Sequence, residues 1–447
     1  MPTHSQLAAR PRSGLTGDFV GAAVAAALVT AAFVVPRIAS DPWRRSLYAG
    51  AAPLFGEWLP HVGWGTVPAV AVAAGVVLYG PTLAGSLPWR RLLVLAWLTA
   101  ITWAFTLAMV DGWHRGFAGR LTDSHEYLHE VGGVTDISVM LRGFSGRILD
   151  FQPDSWTTHV SGHPPGALSF FVLLDRVGLG GGGWAGLACL LIGTSTAVAV
   201  AVALGALGAQ DRARAALPFL ALAPAALWFA VSADAVFAGV TAWAVALFAV
   251  ASRSEGRHII AVAAGMLFGF GIYLSYGMVL MALPAVAVLI AARTARPLLP
   301  ALLGALVVAA AFTVAGFWWL DGYHLVVQRY YQGIAAERPF AYWWWANLAA
   351  TLCALGLATA AALHRALSLP RLRALDPTAL LVVGALCAIV VADASALSKA
   401  ETERIWLPFA IWVLAATAFL PRSGARAWLT VQAGGALLIA HTILTNW

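Results

Sequence analysis

Apolar runs of about 20 residues, the length that crosses a hydrocarbon core, recur along almost the whole chain. They fall near 17–36, 66–87, 91–110, 184–208, 213–231, 233–252, 258–274, 276–292, 298–320, 342–364, 379–397, 405–420 and 427–445. Thirteen such runs predict an all-α polytopic membrane protein of about 13 transmembrane helices, with residues 1–447 forming one transmembrane domain. Two stretches break the pattern. Residues 37–65 hold an amphipathic piece, Ser46 to Leu59, expected to lie on the surface. Residues 164–179 (PPGALSFFVLLDRVGL) are apolar but short, and carry Asp175 and Arg176.

The sidedness of the arginines decides how to read the second stretch. If 164–179 lies along the membrane as an interfacial helix and the N-terminus is inside, the short arginine-rich turns all fall on one face. They are Arg10/Arg12, Arg90/Arg91, Arg212/Arg214, Arg253/Arg257, Arg293/Arg296, Arg365/Arg371/Arg373 and Arg422/Arg426. That face carries 15 arginines and 4 acids, a balance of +11, and the rest of the chain a balance of −4. A crossing at 164–179 would turn every later arginine outward, against the tendency of basic turns to stay cytoplasmic. The expected topology is therefore N-terminus in and C-terminus out, in the plasma membrane.

Composition narrows the class. The chain is 61% hydrophobic and only 11% charged, with a net charge of +7 and a mean hydropathy of +0.80. A soluble globular enzyme carries about a quarter charged residues. The basic excess is a topology signal, so no nucleic-acid partner is expected. Cys189, Cys353 and Cys387 lie in apolar runs, with neither a disulfide framework nor zinc spacing. The N-terminal stretch lacks a small-residue cleavage site after a short apolar core, so no removable signal peptide is expected.

The chemistry is expected on the outer face. Its long hydrophilic segment, Asp111 to His163, holds 5 of the 11 histidines and 7 of the 20 acids; long loops in compact proteins are usually functional. Residues 111–183 form the expected extracytoplasmic catalytic loop with juxtamembrane helices, and 321–341 and 398–404 are smaller outer loops. In LTDSHEYLHE, Asp123 and Glu126 would share one face of a helix that Thr122 or Asp123 caps. Such a pair reads either as a solvated, capped juxtamembrane helix or as a carboxylate placed as a general base. His125 and His129 are one turn apart, which without a third ligand is a poor metal site. His163 precedes Pro164 and Pro165, an extended step into the interfacial helix.

Further outer-end polar residues follow. Ser232 and Asp234 sit at a junction of spans, as helix caps or as a functional site, since ionisable groups at membrane depth are costly. Tyr273, Ser275 and Tyr276 lie at the next outer turn. Arg329, Tyr330 and Tyr331 precede RPFAYWWWANL, whose tryptophans suit an interfacial belt. The last outer turn, SKAETERIWLPF, contains the one lysine of the chain: Lys399 and Arg404 bracket Glu401 and Glu403. That cationic pair could hold a lipid phosphate at headgroup depth, or be a solvated loop with internal ion pairs.

In order, these features resemble the glycosyltransferase C superfamily. They are the acidic pair Asp123/Glu126 followed by Tyr127, the motif His163-Pro164-Pro165 leading into an interfacial helix, and the Ser232/Asp234 turn. The AGMLFGFGIYLSYG stretch and the Glu403-Arg404-x-Trp406-x-Pro408 run complete the series. Within the superfamily the chain is most similar to the protein O-mannosyltransferase and lipid A aminoarabinose transferase group, and close in style to actinobacterial cell-envelope arabinosyl- and mannosyltransferases. The Arg- and Ala-rich, almost lysine-free composition suits a high-GC actinobacterium. The resemblance covers roughly 110–420. It departs in the spacing of the acidic pair, in Tyr276 where many relatives have lysine, and in two extra spans before the loop.

The resemblance implies transfer of a monosaccharide, mannose or arabinose, from a polyprenyl-phosphate carrier to a glycan, lipid or protein acceptor at the outer leaflet, with inversion. Asp123 would be the general base, with Glu126 and His163 orienting acceptor or base. Arg404 and Lys399, with Arg329, would bind the departing phosphate, where charge develops in the transition state. Tyr127, Asp234, Tyr276, Tyr330 and Glu403 would line the substrate site, beside membrane lipids. Some relatives use a divalent cation and others none; the metal ligands, if any, are unknown from the sequence, and no organic cofactor is implied. Three alternatives stay open: a lipid or sugar transporter or flippase, a non-catalytic envelope-synthesis scaffold with a transferase-like fold, and a lipid-linked oligosaccharide ligase or polymerase. The absence of an internal repeat and of midplane polar residues speaks against the transporter.

Overall fold

The computed structural model describes residues 13–446, with side chains from residue 15 onward. Arg10 and Arg12 of the sequence pattern lie outside the described residues. Among these residues the protein is almost entirely helical. Six helices are long and apolar enough to cross a membrane: Leu15–Ile38, Thr66–Ser86, Trp89–Ala108, Gly182–Ala206, Ala233–Ala251 and Pro377–Ala394. Three further pairs reach span length only together and bend sharply. They are Leu298–Val314 with Trp319–Gln332 (75°), Phe340–Leu355 with Leu357–Ala366 (102°), and Leu407–Phe419 with Arg422–Thr442 (109°). His258–Leu274 and Tyr276–Ala292 are shorter apolar helices. The chain is thus a helical integral membrane protein.

Thirteen unbroken spans are not what forms, and the reasons are local. Run 342–364 breaks at Gly356, whose φ of +77° suits glycine. Run 213–231 becomes the helix Gln210–Ala221 and a 3-10 turn, Pro224–Trp228, because Pro224 cannot continue an α-helix. Run 298–320 ends at Val314 and turns at Gly316, whose φ is +102°. Helix–helix contact relies on small residues. A Cβ on Gly265 would stand 1.8 Å from the Ala301 carbonyl oxygen, and one on Gly304 would stand 2.2 Å from that of Val262. The backbones of His258–Leu274 and Leu298–Val314 touch there.

Ala233–Ala251 is the most buried of the six span-length helices and packs against Gly182–Thr194, Thr196–Ala206, His258–Leu274, Ala282–Ala292, Thr402–Ile405 and Leu407–Val413. Large apolar side chains such as Val24, Leu78, Leu98, Leu306, Val314 and Val390 remain exposed around the bundle, as a lipid-facing surface requires. Stretch 164–179 forms the helix Pro165–Arg176 directly after Pro164, with Pro165 in its first turn. The Ser46–Leu59 piece is not a surface helix. A short helix, Asp41–Arg45, leads through a turn to a strand β1 (Gly56–Trp58), which pairs antiparallel with β2 (Ile443–Thr445). Leu47, Ala51, Ala52 and Leu54 are buried, because this backbone serves buried charged groups described below.

Contacts between turns divide the bundle into two ends. At one, buried Asp18 accepts from Arg365 Nε at 2.6 Å and Nη2 at 2.9 Å, with His364 at 2.8 Å. Arg212 meets Asp376 at 3.1 Å, and Arg212 and Arg371 lie over the Phe419 ring at 4.0 and 4.5 Å. Arg214 donates to the carbonyls of Ala84 and Leu87. Arginine turns far apart in sequence therefore converge at this end. At the other end the 111–163 segment meets His61, Arg329, Gln332 and Thr445.

Candidate functional site

The segment after Trp89–Ala108 is held close to the bundle before it reaches the acidic pair. Asp111 is 2.6 Å from His61 Nε2 and 3.7 Å from Arg120 Nη2. A π-helix, His114–Ala118, and a 3-10 turn, Arg120–Thr122, follow. Gly116 is needed here, since a Cβ would lie 1.9 Å from the Ala108 carbonyl oxygen.

Asp123 and Glu126 do not share a helix face. Asp123 Oδ1 accepts from His125 N at 2.9 Å and lies 2.9 Å from His125 Nδ1, a local turn that competes with helix formation. The helix begins only at Tyr127, after Glu126 in an extended conformation at φ −97° and ψ 168°. Neither Thr122 nor Asp123 caps it, and His125 and His129 are not on one helix. The turn separates the two acids: the Asp123 side chain is 61% exposed, whereas Glu126 is buried. The His125 backbone N–H, then its side chain, hold the Asp123 carboxyl below its usual range.

Glu126 faces inward, with His159 Nε2 3.5 Å away. His159 lies in the short helix Thr158–Ser161, and its N–H donates to the His125 carbonyl at 3.0 Å. Thr157 N donates to Glu130 Oε1 at 3.0 Å, so residues 123–131 and 157–163 are stitched together. His163 Nδ1 is 2.8 Å from both the Tyr127 hydroxyl and the His159 carbonyl oxygen. Burial pushes its pKa down to about 4, so the imidazole is neutral at physiological pH. Tyr127 stacks on Phe171 of the following helix, ring centroids 5.1 Å apart.

The second half of the site sits on the central helix and the 398–404 turn. Asp234 N donates to Ser232 Oγ at 3.1 Å, and Ser232 Oγ donates to Asp234 Oδ2 at 2.9 Å. Ser232 is thus the helix cap, and Asp234 is both part of that cap and an ion-pair partner. Arg404 Nη1 reaches Asp234 Oδ2 at 2.5 Å, and its Nη2 reaches Glu401 Oε2 at 2.5 Å. Burial acts to lower the Arg404 pKa, but Asp234, Glu401 and Glu126 outweigh it and raise it. The network connects the N-terminus of the central helix to the 398–404 turn, with Glu126 beside it.

The same turn is fixed from its far side. Arg338 donates to the carbonyls of Leu47 (3.2 Å), Tyr48 (3.1 Å) and Lys399 (2.7 Å), and approaches Glu401 at 3.4 Å. Asn347 Nδ2 donates to Asp393 and to the Ser398 carbonyl, and its Oδ1 accepts from Ala400 N. These bonds hold Ala400 and Glu401 in left-handed conformations, φ +72° and +64°. Glu403 is buried and accepts from Phe55 N at 2.9 Å through Oε1, while Oε2 has no hydrogen-bond partner among the described residues. Burial pushes its pKa up to about 7.

Of the residues singled out in the sequence, Glu126, Tyr127, His163, Asp234 and Arg404 come together, with Asp123 at their solvent edge. Lys399 does not face Arg404: its Nζ donates to the Ala335 carbonyl at 2.9 Å and lies 5.5 Å from the Tyr331 ring. Lys399 N donates to the Tyr330 hydroxyl at 2.9 Å. Arg329 pairs with Asp150 and donates to Ser161 Oγ at 3.1 Å. Tyr276 packs against Trp319 and Tyr323, away from the Arg404 network. Reading the sequence missed Arg338, Asn347 and His159. Asn347, a lone amide inside a tryptophan-rich apolar run, carried the one usable signal.

Among the described residues no group of three or more His, Cys, Asp or Glu could hold a metal ion. A cleft of about 420 Å³ opens beside Thr122, between the helices Tyr127–Val131 and Pro165–Arg176 and the glycine-rich turn at 178–183.

No protein-family model matches the chain, and no curated protein matches it. Among solved structures it is similar to ArnT from Cupriavidus metallidurans in the apo state. That match has 20% identity and a TM-score of 0.44, and covers 74% of this chain and 59% of ArnT. It is also similar to the Archaeoglobus fulgidus oligosaccharyltransferase in complex with zinc and sulfate, at 14% identity and a TM-score of 0.43, covering 78% of this chain and 51% of that one. Both are members of the glycosyltransferase C superfamily. The matches span between half and three fifths of those longer chains.

Proposed function

We propose that the protein is a membrane glycosyltransferase that moves a monosaccharide, mannose or arabinose, from a polyprenyl-phosphate carrier to an acceptor hydroxyl at the outer leaflet. The observation that carries this reading is the placement of Asp123. It is a solvent-exposed carboxylate, kept ionised by His125, at the edge of a buried charged cluster where the bundle meets water.

In the proposed reaction, Asp123 accepts the proton of an acceptor hydroxyl. The acceptor oxygen attacks the anomeric carbon, and the bond to the phosphate oxygen breaks with its electron pair going to the phosphate. The configuration inverts. Glu126 and His163 hold the loop and orient the acceptor. The negative charge on the leaving phosphate needs a cation close by. Arg404 supplies one; Lys399 and Arg329 supply others by exchanging their present carbonyl and carboxylate partners. The convergence of arginine turns at the opposite end supports placing that end in the cytoplasm and the site outside. A divalent cation would have to be held chiefly by donor phosphate and water.

The test is direct. Purified protein is incubated with radiolabelled polyprenyl-phospho-mannose or -arabinose and a lipid or glycan acceptor, and a new glycoconjugate is sought. Asp123→Asn is expected to abolish transfer with unchanged folding, since its side chain is exposed and its pairing with His125 contributes little to stability. Wild-type activity in that variant refutes the assignment of the base.

A further inference from the structure

We infer that the cleft beside Asp123 binds the uncharged, polyhydroxylated part of a glycan acceptor; this rests on the transferase reading of the neighbouring site. The cleft, about 420 Å³, has Thr122, His129 and Asp175 at its polar rim and Leu128, Phe171 and Leu179 in its apolar floor. That size is typical of small-molecule sites, which combine an apolar lining with a few converging polar groups. Thr122 places the rim one residue from Asp123. The side chains of His129 and Asp175 are exposed and make no hydrogen bond or ion pair among the described residues, so both can serve a ligand.

The charges select the ligand. Asp175 is the acid that lines the cleft, Asp123 follows the lining residue Thr122 in sequence, and the cation next to Asp175 is turned away: Arg176 donates to the carbonyls of Val134 and Thr135 at 2.8 and 2.7 Å. A phosphate or carboxylate would meet the Asp175 carboxylate there, with no lysine or arginine in the lining to offset it. Hydroxyl groups would find acceptors in Asp175 and His129, and the C–H faces of a sugar would find Leu128 and Leu179.

Glycines keep the cleft open. Gly132 and Gly181 both line it, and a Cβ at either would meet nothing within 4 Å. Gly181 has φ +87°, where a side chain is strained. Gly132 has φ −64° and ψ −25°, an ordinary helical conformation, so a large side chain is accepted by the backbone and projects into the cleft.

The experiment uses the full-length protein in nanodiscs, Gly132→Trp, and saturation-transfer NMR with mannotriose, arabinotriose and octyl mannoside. The wild type should saturate the sugar-ring protons of at least one probe. Gly132→Trp should lower that signal at least fivefold, with an unchanged melting temperature. No ring signal in the wild type, an equal signal in Gly132→Trp, or saturation confined to the octyl chain overturns the inference; the last would assign the cleft to a lipid chain. If Gly132→Trp does not fold, the His129→Gln/Asp175→Asn double variant replaces it, with the same fivefold loss expected and an unchanged signal refuting. Binding needs no donor, so the two readings separate. Glycan binding without transfer from any donor leaves the cleft standing and removes the transferase. Transfer with an unchanged acceptor KM in Gly132→Trp does the reverse.

Discussion

Replacing Arg404 with leucine tests whether its network is what holds this end of the bundle together. The Arg404 and Asp234 side chains are 5% and 4% exposed and 2.5 Å apart. Removing one partner of a buried pair leaves an uncompensated buried charge and costs about 3–5 kcal/mol. Arg404 serves two carboxylates, but they are not deserted equally. Glu401 keeps Arg338 at 3.4 Å, whereas the Asp234 carboxylate keeps the Ser232 hydroxyl as its hydrogen-bond donor. The cost should therefore stay within that range and arise mainly at Asp234, lowering the folding equilibrium by roughly a hundred- to a thousandfold or more. Reversible denaturation in detergent measures it. Arg404→Leu combined with Asp234→Asn should recover part of the loss, giving a coupling energy of about 0.5–3 kcal/mol in a double-mutant cycle. A single variant within about 0.5 kcal/mol of wild type, or strictly additive effects, refutes the reasoning. In that event the Arg404 network is not what holds this end of the bundle together. Arg404→Lys, which keeps the charge, should fold well enough for the donor KM to be measured.

Other expectations follow from single residues. Because His125 depresses the Asp123 carboxyl, protonation of the base should reduce kcat/KM only below the ordinary carboxylate range; an acidic limb near pH 6 that vanishes in Asp123→Glu would contradict this. Glu403 titrates at about 7 when folded and lower when unfolded. Its contribution to stability is therefore complete below the unfolded value and declines as the pH rises to about 7. Glu403→Gln should flatten that decline, by of the order of 1–3 kcal/mol, and an equally steep loss between pH 5 and 8 in the variant would rule it out. Gly356→Val should destabilise by about 1–3 kcal/mol, because φ is +77° and a Cβ would sit 3.0 Å from Pro224 Cγ; an unchanged melting temperature would refute the strain.

The helix at 165–176 and the helix cap at Ser232 were legible because each rests on local chemistry, a Pro-Pro step and a hydroxyl before an apolar run. The acidic pair was misread for an equally local reason: the Asp123 carboxylate turns back on His125, so no helix joins it to Glu126. Lys399 and Arg404, six residues of one turn, looked like a matched cationic pair. Left-handed Ala400 and Glu401 between them send one toward Ala335 and the other toward Asp234. Arg338 left little trace in sequence, because its partners are chiefly backbone groups of segments far along the chain.

Hydrophobic periodicity and the placement of arginines determine on their own that this chain lives in a membrane and has two chemically different ends. Both properties come from residues answering to solvent one at a time, lipid for the apolar runs and water for the basic turns. The tertiary structure alone decided which runs remain straight and which break. It also decided which acid is exposed and which buried, and which carboxylates capture Arg404. Those outcomes depend on what stands opposite each group once the helices pack. A buried charge takes its partner from whichever segment arrives within reach, and Asp234 and Arg404 meet across 170 residues.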